Sequence, residues 1–81
     1  MAQFNLAIMY KDGVGVERDM QKSVVWYRKA AEQGYVRAQH PLGVMYLNGD
    51  GVERDLSQAA KWFQEAARQT REHHRRRRVL S

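Results

Sequence analysis

The 81 residues exclude a multidomain chain and a large enzyme core, since domains usually hold about 100 to 150 residues. A composition that is 43% hydrophobic and 28% charged, with one proline and no cysteine, excludes a disordered chain, disulfides, thiolate metal sites and thiol catalysis, and it favours helix. The net charge of +5 excludes less than it suggests, because residues 1–70 hold nine Lys/Arg against eight Asp/Glu, whereas residues 71–81 hold five Arg and one Glu. The body and the tail therefore carry separate arguments. No apolar run approaches the roughly 20 residues that cross a bilayer, and the start MAQFNLAIMYKDG lacks a basic, cleavable secretory leader. Cytosol is the default address that this leaves.

The first element is a helix in which Ala2, Leu6, Met9 and Tyr10 recur at i, i+4, i+7 and i+8. DGVGVERD follows, and its glycines can reverse the chain after a helix end. Val14 and Val16 alternate too briefly for a strand. Asp19 stands where a carboxylate caps the next helix. That second helix carries the stripe Ser23, Trp26, Tyr27, Ala30 and Ala31 and ends at Gly34. A third helix begins around Val36 to Ala38 with the stripe Ala38, Leu42, Met45 and Tyr46. Pro41 lacks the N–H of an interior helical position, so this helix is expected to start late or to kink. After NGDGVERD and the capping Asp55 comes a fourth helix, striped by Ala59, Trp62, Phe63, Ala66 and Ala67. TREHHRRRRVLS closes the chain as a basic, low-complexity run expected to be disordered and solvated.

These elements repeat at a spacing of 36 residues, and 15 of 32 positions are identical when 2–33 is laid on 38–69. Mismatches such as Ile8/Val44, Met20/Leu56 and Tyr27/Phe63 keep side-chain shape. The expected architecture is all-α: an α/α superhelix, or solenoid, of two helix-turn-helix repeats with four helices. The units are 1–34, 35–70 and the Arg-rich tail 71–81.

The run AQ-x-x-LG-x-MY-x-x-G-x-GVERD-x-x-x-A-x-WF-x-x-AA, from Ala38 to Ala67, closely resembles the Sel-1-like repeat, a relative of the tetratricopeptide repeat, and Ala2 to Gly34 resembles a second copy. Together they cover about four-fifths of the chain. The resemblance implies a right-handed superhelix of helical hairpins that binds other proteins and assembles complexes, without chemistry of its own. Bacterial members commonly serve in signalling, envelope functions and host interaction. Three departures stand out: Ala7 and Ser23 replace the family's Gly and Ala, only Met1 precedes Ala2, and the repeat pattern stops after Gln69.

Function follows from these features. Gly13-x-Gly15 lacks the strand, third glycine and acidic partner of a phosphate-binding fingerprint. Asp12, Glu17 and Asp19 lack the ligand spacing of a calcium loop. His73 and His74 point about 100° apart on a helix, so no metal site and no cofactor is expected. No triad or carboxylate dyad surrounds His40, and the chain is read as a non-enzyme. The expected activity is binding of a protein or peptide through the first helix of each pair, the helices that line the concave side of related solenoids. The contact residues are Asn5, Ile8, Asp12, Val44 and Asn48. The alternative is a nucleic-acid or anionic-surface binder that works through Arg75, Arg76, Arg77 and Arg78; no aromatic is interleaved there to stack on bases. Two repeats with open ends also lead us to expect a homodimer.

Overall fold

The computed structural model describes the backbone of residues 2–80 and the side chains of residues 2–70. Four helices follow one another: α1 (Ala2–Asp12), α2 (Met20–Glu32), α3 (Val36–Asn48) and α4 (Leu56–Leu80). Among the described residues there is no strand. Helix α1 packs on α2, α2 on α3 and α3 on α4, so the two sequence repeats become two hairpins joined through the α2–α3 contact.

The connection inside each hairpin is built twice in the same way. Gly13 and Gly49 adopt φ of +71° and +73°, where a Cβ would be strained, and their N–H groups donate to the carbonyls of Met9 and Met45 at 2.7 and 2.8 Å. The backbone N–H groups of Asp19 and Asp55 then donate to the carbonyls of Tyr10 and Tyr46 at 2.8 and 2.9 Å, which ties the end of each loop to the helix before it. The same two aspartates cap the following helices as expected, accepting from the N–H groups of Lys22 at 3.2 Å and Gln58 at 3.1 Å. Between the hairpins, the N–H groups of Gly34 and Tyr35 donate to the carbonyls of Ala31 and Ala30, closing the free carbonyls at the end of α2.

Burial follows position in the stack. Helix α3 has a neighbour on either side, and its whole expected stripe is buried: Ala38, Leu42, Met45 and Tyr46. The identical stripe of α1, with α2 as its principal neighbour, leaves Leu6, Met9 and Tyr10 half-buried and Ala2 exposed, and the buried residue of that helix is Ala7. In α2 the core residues are Ser23, Val24, Tyr27, Ala30 and Ala31; in α4 they include Ala59, Trp62 and Ala66.

Three expectations need correction. Helix α3 starts at Val36, within the expected range, with Pro41 inside it; of the two effects expected of the proline, a late start or a kink, the late start does not occur. The proline removes the one bond that its missing N–H would donate to the Arg37 carbonyl, in the first half of the helix. Trp26 is half-buried where Trp62 is buried; Trp62 shares a hollow with the end of α2, Ala31 to Gly34. Finally, α4 continues to Leu80, so the backbone of the run expected to be disordered is helical. Neither Gly nor Pro follows Gln69 to stop the helix, and arginine is a good helix former.

Candidate interaction surface

A hollow of about 270 Å³ opens where the end of α1, the inner side of α2 and the middle of α3 meet. On α3, His40, Pro41, Val44 and Met45 line it, spaced so that they share one helical face; on α2, Met20 and Tyr27 do the same from two turns apart. Lys11 at the end of α1 and Asp50 in the second loop bring one charge of each sign to the rim. The lining side chains of Met20, Pro41, Val44 and Met45 are apolar, and Met45 and Tyr27 also belong to the core cluster, which ties the hollow to the rigid part of the molecule. Burial holds the Tyr27 phenol above its ordinary titration range, and the negative charge of Asp12 adds to that effect. Such a surface can take up apolar side chains and orient them with flanking charges.

Of the residues expected to make contact, Val44 lies in this hollow. Asn5, Asp12 and Asn48 are exposed on α1 and α3, and Ile8 is half-buried against the core cluster; these four do not line the hollow. Lys11, Met20, His40, Pro41 and Asp50 do, although periodicity did not single them out. Stepping back one turn from Val44 reaches His40, so part of the α3 face was available from spacing. Lys11, Met20 and Asp50 arrive from three different segments, and no local pattern joins them. Arg75, Arg76, Arg77 and Arg78 fall in the last turns of α4, and their side chains lie outside the described residues. Among the described residues no group of three His, Cys, Asp or Glu is placed to hold a metal ion, and no helix is long and apolar enough to cross a membrane.

Two helical hairpins of one repeating sequence, stacked through a shared interface, define an all-α repeat protein. Residues 1–35 and 36–70 each match the Sel1 repeat, and the chain belongs to that family. Similar solved structures are a Sel1 repeat protein from Oxalobacter formigenes (40% identity over 83% of this chain, TM-score 0.80), a protective antigen with an SLR fold present in uropathogenic Escherichia coli (46% over 84%, TM-score 0.82) and the cysteine rich protein B of Helicobacter pylori (30% over 82%, TM-score 0.79). The chain spans 27%, 15% and 50% of the lengths of those three proteins. No curated protein matches it. Sel1 repeats are in general protein-protein interaction modules and non-enzymatic scaffolds.

Proposed function

We propose that this chain is an adaptor that binds a protein or peptide segment through the α1 and α3 side of its hairpins, with Val44 and the hollow around it as the anchor. The observation that supports this reading is the hollow itself: apolar residues of two adjoining hairpins sit beneath a rim that carries both Lys11 and Asp50. A partner side chain of aliphatic or aromatic character would fill it, and the exposed Asn5, Asp12 and Asn48 would supply polar contacts around it. Self-pairing belongs to the same proposal, since Val25 and Leu56 are each about half exposed (50% and 54%) and offer apolar surface to a second copy.

The test is capture of partners from the native host by the wild-type chain and by Val44→Glu, with the helical circular dichroism of both recorded first. A partner held by the wild type and lost by the folded variant supports the proposal; equal capture overturns it. RNA affinity that falls steeply with salt and vanishes when residues 75–78 are deleted would move the function to the arginines. Light scattering reads self-pairing directly, and a 9.5 kDa monomer at all micromolar concentrations would remove it.

A further inference from the structure

Four large apolar side chains stand exposed among the described residues: Val14 (62%), Val25 (50%), Leu47 (41%) and Leu56 (54%). A shift of 36 residues carries each of them onto a residue at the junction of the two hairpins. Val14, Leu47 and Leu56 fall on Asp50, Lys11 and Met20, which line the hollow around Val44. Val25 falls on Lys61, which lines the hollow between Trp62 and the end of α2. By the repeat, Val14 and Val25 occupy on the first hairpin the positions with which the second hairpin meets the first. Leu47 and Leu56 occupy on the second hairpin the positions with which the first meets the second.

The junction shows what these positions do. The second loop sits so closely on the start of α2 that a Cβ on Gly51 would lie 2.4 Å from the Met20 carbonyl oxygen. Gly15, the counterpart of Gly51, shapes the first loop in the same way, with φ of +76°, and it is exposed. Leu56 stands at the start of α4 as Met20 stands at the start of α2. Burial differs in the same sense at both ends. Tyr27 is buried at the junction and its counterpart Phe63 is half-buried; Met45 and Tyr46 are buried and their counterparts Met9 and Tyr10 are half-buried.

Where the junction carries Lys11, Asp50 and Lys61, the ends carry Leu47, Val14 and Val25, so the ends are more apolar at these positions than the interface inside the chain. Faces of a helical stack that remain in water are normally polar. The two ends also complement each other, because one repeats the α3 side of the junction and the other repeats the α2 side. A two-fold pair would set like against like, and the chain contains no contact of that kind to serve as a template. We propose that a second copy of this chain stacks head to tail on the first. Leu47 and Leu56 of one copy meet Val14 and the Gly15 loop of the next, which repeats the α2–α3 junction between chains. This inference rests on the self-pairing part of the function proposed above and does not involve Val44. The contact does not close on itself, so copies continue to add.

Val14→Glu and Leu56→Glu in the full chain test this by analytical ultracentrifugation. Both positions are exposed, and a carboxylate suits the first turn of α4, so both variants should keep the helical circular dichroism of the wild type. The wild type should grow past the mass of a dimer as its concentration rises through the micromolar range. Each variant alone should associate at least about tenfold more weakly, because its glutamate would be buried against an apolar face. An equimolar mixture should pair as tightly as the wild type and stop at two chains. The intact Leu56 face of the Val14→Glu chain then meets the intact Val14 loop of the Leu56→Glu chain, and both outer ends are blocked. A wild type that stays monomeric overturns this proposal and the self-pairing with it. A dimer that persists in either variant alone, or a mixture that pairs no better than its components, overturns the head-to-tail stack and leaves self-pairing by another face standing.

Discussion

The hydroxyl of Ser23 donates to the carbonyl oxygen of Ala7 at 2.8 Å, and both residues are completely shielded from solvent. The bond spans the crossing of α1 on α2. At the matching crossing of α3 on α4 the residues are Gly43 and Ala59, and a Cβ placed on Gly43 would come within 2.9 Å of the Phe63 ring. One hairpin thus joins its helices with a hydroxyl, and the other lets a ring approach a bare backbone.

That comparison sets the expectation for Ser23→Ala. The second hairpin already carries alanine there, so the methyl fits, and the Ala7 carbonyl keeps its intrahelical partner by ordinary helix geometry. Loss of the bond should cost about 1 kcal/mol or less. Ser23→Val, which adds bulk to the same buried point, should cost about 1 to 3 kcal/mol. Urea midpoints of the two variants check the order.

Gly51 and Gly15 occupy the same place in the two loops and have similar φ, +71° and +76°, yet their surroundings differ. A Cβ on Gly51 would lie 2.4 Å from the Met20 carbonyl oxygen, whereas on Gly15 it would meet only the tip of Met9 at 3.7 Å. Gly15→Ala should therefore cost the backbone strain alone, about 1 to 2 kcal/mol. Gly51→Ala must also push the second loop off the start of α2, and we expect a loss of about 3 kcal/mol or more. Thermal midpoints separate the two.

The contrast shows what the sequence made legible. The four helices, the two capping aspartates and the hairpin connections follow from spacing and local chemistry, which do not depend on distant partners. Gly15 and Gly51 read alike because the motif around them is identical, and only the stacking of one hairpin on the other separates them. The same holds for the candidate surface. Val44 was accessible through helical periodicity, but Lys11, Met20 and Asp50 meet it through the α2–α3 contact, which no local pattern encodes. Of the late start or kink expected at Pro41, the late start does not occur, because the proline removes one bond in the first half of α3 and the helix continues through it.

The tryptophans should divide in the same way. Trp62→Ala empties a buried site and should cost about 3 to 5 kcal/mol. Trp26, half-buried beneath Lys29, should cost about 1 to 2 kcal/mol on truncation, in proportion to the smaller area that it removes from water. Fluorescence of single-tryptophan variants checks the geometry independently: Trp62 alone should emit at shorter wavelength than Trp26 alone.

Tyr27 makes stability depend on alkaline pH. Burial first, and the charge of Asp12 second, hold its phenol above the ordinary range. In the unfolded chain the phenol ionises near pH 10, as a free tyrosine does. The folded protein keeps the proton to higher pH, so above about 10 the unfolded state binds fewer protons than the native one. Stability must then fall as pH rises from that point to the raised native value, and level off beyond it. Tyr27→Phe removes this contribution, and its urea midpoint should decline less steeply than that of the wild type as pH rises above about 10. Asp12→Asn removes the smaller of the two causes and should give an intermediate slope. Parallel declines for wild type and Tyr27→Phe would mean that the phenol ionises as readily inside the hollow as outside it, and the account of Tyr27 as a buried neutral wall of that surface would fail.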